Sequence, residues 1–235
     1  MIRIAFTSIG PISLSRRVNM RAIIIGATGA AGRDLLNALL RDDSFRQIHI
    51  FVRRAPDLRH EKLQVHVIDF DQPAQWRQLV KGDVLFSCLG TTLRAAGSKE
   101  AQWKIDYEYQ YQFAGAARHN GVQHHVLVSS GFASPKSRFF YTRMKGRLEA
   151  AVKALDFEKL TIFNPPVLVR KNSDRAAEVA GVKFIGYLNK IGMLRTQRPL
   201  PTEILAQAMI NAAKRKENGL VVLGGQAIWK AARAE

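Results

Sequence analysis

The sequence predicts an α/β domain that is built on a doubly wound parallel sheet and carries a small C-terminal lobe. Short apolar runs recur along the chain, and most are followed by a turn and then by apolar residues at helical spacing. Strands that are apolar throughout are typical of parallel sheets, because helices cover both faces of such sheets. At 235 residues and 47% hydrophobic content, the chain can bury one domain of this kind, which we expect over residues 20–235.

The stretch from Arg21 to Leu40 is the basis of this prediction. The apolar run Ala22–Ile25 stops at Gly26, Gly29 and Gly32 follow at three-residue intervals, and leucines at helical spacing come next. In such a turn the glycines permit a tight bend, close approach of the backbone to a pyrophosphate, and close packing of the helix on the strand. The helix N-terminus then offers free N–H groups to the phosphate. We therefore predict a dinucleotide-binding Rossmann unit whose turn holds the cofactor through Gly26, Thr28, Gly29, Ala30, Ala31 and Gly32.

The second predicted strand, Gln47–Val52, ends in Arg53 and Arg54. In a Rossmann unit an acidic residue at this place binds the ribose hydroxyl of NAD, whereas a guanidinium group matches the 2′-phosphate of NADP. We therefore expect NADP as the cofactor, with NADPH preferred over NADH. The alternative is that both arginines are simply solvated in a basic protein.

Two further strand ends extend the predicted crevice, because open α/β sheets bind ligands at the carboxyl ends of their strands. Leu63–Phe70 closes on Asp69, whose carboxylate could reach the adenine amino group or cap the next helix. Asp83–Leu89 runs into a Gly-Thr-Thr turn. This places three more residues beside the cofactor: Cys88, Leu89 and Gly90.

The residues suited to chemistry concentrate in Val126–Glu149. Ser129 and Ser130 end the fifth predicted strand, and Tyr141 and Lys145 lie four residues apart on one face of the following helix. A lysine ammonium held near a phenol favours the phenolate, which makes the phenol a usable proton donor or acceptor near neutrality. A serine hydroxyl can polarise the same substrate oxygen while hydride moves to or from the nicotinamide. The pattern predicts an oxidoreductase.

Six motifs extend this interpretation from Met20 to near the C-terminus: GATGAAG (26–32), CLGTT (88–92), VSSG (128–131), YTRMKG (141–146), NPPVLVR (164–170) and GGQAIWKAA (224–232). With them the chain resembles the atypical short-chain dehydrogenase/reductases, most closely the oxidoreductase-like branch that includes the Tat-interacting protein. The resemblance implies NADP binding by the glycine turn and by Arg53 or Arg54, with Pro165 of the proline pair beside the cofactor. It also implies a catalytic set of Tyr141, Lys145 and a serine. Tyr141 and Lys145 are expected to contact the cofactor as well, with Lys145 holding the ribose hydroxyls.

One residue departs from the family pattern, and one catalytic position can be assigned to either of two serines. On the long helix predicted over Ala101–His119, Asp106 occupies the position where many extended relatives carry an active-site asparagine, so the proton-relay role of that asparagine does not carry over directly. The choice between Ser129 and Ser130 as the catalytic hydroxyl stays open. The main prediction is an NADPH-dependent reductase of a carbonyl or similar small acceptor, and the alternative is a non-catalytic NAD(P)H-binding regulatory or assembly protein.

The C-terminal part is predicted in less detail. Lys159–Val169 is expected to form a sixth strand, and Thr202 to cap a helix. Asn172–Arg198, which mixes charges, glycines and short apolar pieces, is expected to be an irregular substrate lobe. A final strand and helix are predicted over Gly219–Leu223 and Ala227–Ala232.

Composition narrows the class of protein. The formal charge is +17, yet Lys and Arg are spread along the chain without a basic arm, so we do not expect nucleic-acid binding; an anionic partner is the weaker alternative. The one cysteine, Cys88, excludes an intramolecular disulfide, suits a reducing compartment, and is expected to be a buried, inert thiol. The adjacent pair His124 and His125 points to opposite faces of a strand, so no metal site is expected.

The distribution of apolar residues and the N-terminal segment bear on where the protein is located. No run of 18 apolar residues occurs, so no membrane span is expected. Residues 1–19 do not have the order of a secretory signal peptide and are expected to be a disordered extension ahead of a start at Met20. We predict a cytoplasmic protein. Neither the substrate nor the oligomeric state, monomer or homodimer, follows from the sequence.

Overall fold

A seven-stranded sheet forms the centre of the protein. The computed structural model describes residues 19–169 and 198–234, and every strand pair in it is parallel. The strands are β1 (Met20–Ile25), β2 (Phe45–Val52), β3 (Leu63–Val67), β4 (Val84–Ser87), β5 (His124–Val128), β6 (Lys159–Asn164) and β9 (Gly219–Gly224), in the spatial order β3-β2-β1-β4-β5-β6-β9. Two short strands, β7 (Leu168–Val169) and β8 (Leu200–Pro201), pair separately. The predicted α/β fold with a doubly wound parallel sheet is confirmed.

Helices cover both faces of the sheet. The helices are α1 (Ala30–Arg41), α2 (Pro73–Trp76), α3 (Leu93–Ala96), α4 (Lys99–Trp103), α5 (Tyr109–His119), α6 (Phe140–Lys153), α7 (Thr202–Ala213) and α8 (Gln226–Ala231). A 3₁₀ turn spans Arg77–Leu79 and a π-helical turn spans Lys104–Glu108. In the part of the chain that the structure describes, no helix is long and apolar enough to cross a membrane.

Strand β1 is buried on both faces, which explains its uninterrupted apolar run. Ala22 and Ile24 pack in a cluster with the leucines of α1 and with Leu205 and Met209 of α7. Ile23 and Ile25 pack on the opposite face, in a cluster that includes side chains of α5 and α6. All four β1 side chains are fully buried, so each residue of this run contributes to one of the two cores.

The order in which strands are added to the sheet reverses at β1. Strand β1 pairs with β2 on one side, after α1, and with β4 on the other. In a doubly wound sheet the crevice between two such neighbours opens at the carboxyl ends of the strands, and it is the usual ligand site. Here it lies between the turn that follows β1 and the turn that follows β4.

Several elements differ from their predicted bounds. The helix predicted over Ala101–His119 is interrupted by the π-helical turn, and the strand predicted over Lys159–Val169 ends at Asn164. Thr202 is the first residue of α7 and Pro201 precedes it as the cap, so the predicted capping role of Thr202 is wrong. The Thr202 hydroxyl is buried without a hydrogen-bond partner among the described residues. The predictions for residues 1–18 and for nearly all of the Asn172–Arg198 lobe lie outside the described residues.

We predict that Gly32→Ala destabilises the protein, because a Cβ at Gly32 would overlap the carbonyl group of Gly26. The backbone of the turn would have to shift, at a cost of about 1–3 kcal/mol in the free energy of unfolding. The matched control is Gly115→Ala in α5, where an added Cβ meets no atom within 4 Å. Since alanine favours helix over glycine, the control should be stabilised by up to about 1 kcal/mol. Urea denaturation of both variants measures the difference.

We also predict that the protein loses stability in mild acid through His124 and His125 on β5. Burial lowers the pKa of His124 to about 4 and the pKa of His125 to about 3. These pKa values lie below that of a histidine in the unfolded chain, about 6.5. At a pH between the folded and unfolded pKa values, the unfolded chain therefore binds more protons than the folded protein. Stability therefore falls as the pH drops below about 6.5, by about 1.4 kcal/mol per pH unit for each histidine.

Denaturation at pH 7.5 and at pH 5 checks this prediction. In His125→Gln the difference in unfolding free energy between the two pH values should shrink by about 2 kcal/mol. The exposed His119, replaced in the same way, serves as the control and should leave that difference unchanged. An equal pH dependence in His125→Gln and the wild type would contradict the assignment.

Candidate nucleotide-binding and catalytic site

The glycine turn after β1 is packed against the turn after β4. Gly26 has a φ of +81°, which glycine adopts without strain, and a Cβ there would lie 2.5 Å from the carbonyl carbon of Cys88. Gly29 donates its N–H to the Gly26 carbonyl at 2.9 Å and occupies the N-cap position of α1. No side chain caps this helix. The turn thus presents bare backbone at a helix N-terminus, which suits an anionic group such as a pyrophosphate.

Arginines lie around this turn. Arg53 and Arg54 are exposed and directly follow β2, whose Phe51 pairs with Ile25, so both lie at the same edge of the sheet as Gly26. Arg33, in the first turn of α1, donates from its guanidinium group to the Thr28 carbonyl at 3.5 Å. Arg33 is absent from the predicted cofactor contacts, although it directly follows the third glycine of the motif.

The other predicted cofactor contacts lie along the same edge. Asp69 is exposed beyond β3, and its carboxylate accepts the N–H of Asp71 at 2.9 Å. Leu89 and Gly90 follow β4, opposite the glycine turn. Cys88 is half-buried, less than the predicted full burial, and desolvation by its surroundings raises the pKa of the thiol to about 12, as expected of an unreactive thiol.

Tyr141 and Lys145 lie on one face of α6, as their spacing predicts. The Lys145 ammonium is 5.9 Å from the centre of the Tyr141 ring. Tyr141 is 39% exposed and Lys145 is 2% exposed, so of these two side chains only that of Tyr141 is open to solvent. The ammonium forms an ion pair with Asp106 at 3.0 Å. Burial disfavours the charged lysine, but Asp106, with Tyr141 and Glu149, outweighs burial and raises the pKa of Lys145.

The sequence left the contacts of Asp106 unspecified, and the structure gives them. It lies in the π-helical turn and is fully buried. Its second carboxylate oxygen accepts the N–H of Thr91 at 2.8 Å, which ties the Lys145 pair to the turn that follows β4. A π-helical turn places its side chains differently from an α-helix, and such turns are frequent at functional sites. In the sequence, the only indication of a special role for this position was that aspartate stands where many extended relatives carry asparagine.

The two serines after β5 have different surroundings. Ser129 is 5% exposed and donates its hydroxyl to Glu149 at 2.6 Å; Glu149 also accepts from Asn164 at 3.1 Å. Ser130 is half-buried, and its hydroxyl donates to the Gly131 carbonyl at 3.2 Å. Of the two, Ser130 has the hydroxyl that can more easily exchange its partner for a substrate oxygen.

A cavity of about 360 Å³ brings several of these groups together. Tyr141, Ser129 and Ser130 line it, together with Phe132 and the segment from Pro165 to Leu168. Pro165 accepts the N–H of Gly131 at 2.9 Å, which holds the serine turn against the proline pair. Phe132 has a φ of 63°, a conformation that is unusual for a residue with a bulky side chain. The cavity can hold a small molecule next to the phenol.

The family comparison identifies the cofactor class, and sequence comparison identifies relatives. Residues 26–181 match a family model described as NAD(P)H-binding. Protein fmp52, mitochondrial, of Emericella nidulans is 33% identical over 215 residues, covering 88% of this chain and 92% of the relative. Protein FMP52, mitochondrial, of Meyerozyma guilliermondii is 35% identical over 224 residues, covering 91% and 96%.

Solved structures support the fold. The Bordetella bronchiseptica enzyme WbmF in complex with NAD+ superposes with a TM-score of 0.67 at 15% identity, covering 93% of this chain and 78% of that one. The oxidoreductase ylbE of Lactococcus lactis superposes with a TM-score of 0.64 at 17% identity, covering 91% and 95%. At these identities the likeness establishes the Rossmann-type fold alone.

The predicted cytoplasmic location is wrong, because the curated relatives are named as mitochondrial proteins. The prediction rested on the lack of a secretory signal and of a membrane span, and neither feature distinguishes the cytosol from an organelle. On the extent of the family match and the identity to these relatives, the chain belongs to the NAD(P)H-binding family, together with the fungal Fmp52 proteins.

Proposed function

We propose that the protein is an NADPH-dependent oxidoreductase of the atypical short-chain dehydrogenase/reductase type, which reduces a carbonyl or similar small acceptor. One observation carries the proposal: the phenol of Tyr141 and the hydroxyl of Ser130 line one cavity, at the same sheet edge as a glycine turn suited to a pyrophosphate. The assignment to the oxidoreductase-like branch that includes the Tat-interacting protein rests on the sequence motifs and belongs to this proposal.

The glycine turn and its arginines would hold the nucleotide. The backbone of Gly26 to Gly32 would receive the pyrophosphate, and Arg53 or Arg54 would bind the 2′-phosphate with a guanidinium fork. Arg33, beside the Thr28 carbonyl, adds a further cation at the phosphate end. Asp69, Cys88, Leu89, Gly90 and Pro165 are proposed to line the rest of the nucleotide crevice.

The residues at the cavity would divide the chemistry between them. When bound, the cofactor supplies a hydride to the carbonyl carbon. Tyr141 donates its phenolic proton to the carbonyl oxygen, which becomes a hydroxyl group, and is reprotonated from solvent. Ser130 donates a hydrogen bond to the same oxygen and orients the substrate. Lys145 holds its charge beside the phenol, and Ser129 supports the turn through Glu149.

We expect the double variant Arg53→Glu and Arg54→Glu to lose its preference for NADPH over NADH. Two carboxylates would replace the groups that bind the 2′-phosphate, and charge-assisted hydrogen bonds of this kind are worth roughly 10-fold or more in affinity. Fluorescence titration with both nucleotides measures the ratio of dissociation constants. The control, Lys81→Glu with Lys153→Glu, changes the charge equally at exposed positions near the opposite edge of the sheet. A wild-type protein that binds both nucleotides equally would contradict the assignment.

We expect Tyr141→Phe to lose reduction of a carbonyl panel by about 100-fold or more, because the variant keeps the ring and removes the proton donor. NADPH oxidation measures turnover, and the dissociation constant of NADPH should stay the same. Tyr111→Phe is the matched control, since Tyr111 is 38% exposed on α5, outside the cavity. Tight NADPH binding without turnover by the wild type on any panel member would instead favour the non-catalytic regulatory protein.

We further propose a mitochondrial location. Residues 1–19 contain three arginines, three serines and no acidic residue, a composition typical of mitochondrial targeting segments. In yeast, a fluorescent fusion of the full chain should colocalise with mitochondria, whereas a fusion that starts at Met20 should not. Replacing Arg3, Arg16 and Arg17 by glutamine should have the same effect as the truncation. Full-chain and Met20 fusions that both stay in the cytosol would exclude this location.

A further inference from the structure

Phe132 has the most exposed side chain of the residues that line the candidate cavity. It is 72% exposed, and Tyr141 and Val167, which also line the cavity, are 39% and 38% exposed. A side chain this open buries little apolar surface, so the Phe132 ring contributes little to the stability of the fold. Exposed apolar side chains that face one concave space are typical of a ligand-binding site.

The backbone at this position is also unfavourable for a phenylalanine. The N–H of Ala133 donates to the carbonyl of Ser130 at 3.2 Å, which closes a four-residue turn with Phe132 as its third residue. The φ of Phe132 is 63°, a value that turns usually assign to glycine or asparagine at this place. Gly131 donates its N–H to the carbonyl of Pro165 at 2.9 Å, and this bond holds the turn. Neither burial nor the local backbone explains the phenylalanine, and backbone strain of this kind is concentrated at binding and active sites.

We infer that the Phe132 ring contacts the substrate, and that the site prefers an uncharged carbonyl compound with an apolar group beside the carbonyl. The inference deepens the proposed function and rests on it, because it takes the place of the carbonyl oxygen from Tyr141 and Ser130. With the oxygen at these two hydroxyls, the apolar group packs on the ring of Phe132 and on the side chains of Val167 and Leu168. These three residues line the same cavity.

The chemistry of the cavity wall supports an uncharged substrate. Among the described residues that line the cavity, the polar side-chain atoms are the hydroxyls of Ser129, Ser130 and Tyr141, and no side chain is charged. A carboxylate or phosphate that entered would lose hydration without meeting a cation on this wall. Behind the wall, the Ser129 hydroxyl is bound to the carboxylate of Glu149, which would repel an anion.

The first test compares two aldehydes that differ in one group of the ring, 4-methylbenzaldehyde and 4-carboxybenzaldehyde. The net charge of +17 would by itself attract the carboxylate, so a preference for the methyl compound reports on the cavity. NADPH oxidation by the full chain is followed at about 0.15 M salt, where long-range attraction is largely screened. The methyl compound should have a kcat/KM at least about 10-fold higher. Equal values, or a preference for the carboxylate, would overturn the inference.

The variant Phe132→Gly removes the ring and keeps the conformation of the turn. The KM for 4-methylbenzaldehyde should rise about 10-fold, while the dissociation constant of NADPH stays the same. Urea denaturation should show a stability no lower than that of the wild type, because glycine adopts a positive φ without strain. A ring with a structural role would instead lower the stability, and a ring that contacts the nicotinamide would weaken NADPH binding. Either result, or an unchanged KM, would contradict the inference.

Phe139→Gly is the matched control for this variant. Phe139 is 78% exposed, is not among the residues that line the cavity, and precedes α6 at its N-cap, where glycine is well tolerated. The same substitution there should leave the KM for 4-methylbenzaldehyde unchanged. An equal rise of the KM in both variants would mean that the loss of an exposed ring, and not the cavity, accounts for the effect.

A binding measurement distinguishes this inference from the proposed activity. Calorimetric titration of 4-methylbenzaldehyde is performed in the presence of NADP+, which has no hydride to donate. If the wild type binds the aldehyde and Phe132→Gly binds it about 10-fold more weakly, the apolar site is supported even where no aldehyde is turned over, and only the reductase activity is then lost. If the wild type does not bind 4-methylbenzaldehyde, the inference is wrong even where other carbonyl compounds are reduced.

Discussion

The close contact between two backbone turns determines the geometry of this protein. The turn after β1 passes so near the turn after β4 that Gly26 has no room for a side chain, and the start of α1 lies so near Gly26 that Gly32 has none either. These contacts bring a helix N-terminus to the point where the sheet order reverses. The crevice for a dinucleotide is a consequence of that steric fit, since the free N–H groups of α1 and the carboxyl ends of β1 and β4 meet there.

The second determinant is the ion pair between Asp106 and Lys145. Two buried charges are costly unless each has a partner, and here each has one in the other. Through Thr91 the pair connects the turn after β4 to α6, and through α6 it connects to the serine turn, because Ser129 donates to Glu149. The turn after β4 and the serine turn are thus both joined to α6 by polar contacts. Tyr141, on the same helix as Lys145, stays partly exposed beside this network.

The family relationship and the site geometry address different questions. The match to an NAD(P)H-binding family establishes the cofactor class, and the fungal Fmp52 proteins are similar to the chain over most of its length. Neither relationship names a substrate, so the reductase proposal depends on how Tyr141, Ser130 and the neighbouring cavity are arranged. The structure adds that Lys145, the lysine of this arrangement, is paired with the buried carboxylate of Asp106.

The sequence by itself determined the fold class, the glycine turn and the helical pairing of Tyr141 with Lys145. These features depend on the spacing of residues that are close together in sequence: an apolar run, glycines at three-residue intervals, and two residues about one helical turn apart. The tertiary structure alone decided which partners the two serine hydroxyls have, that Asp106 pairs with Lys145, and that the helix around Asp106 contains a π-helical turn. These depend on contacts between Asp106 and Lys145 or between Ser129 and Glu149, residues 39 and 20 positions apart, so no local pattern could predict them.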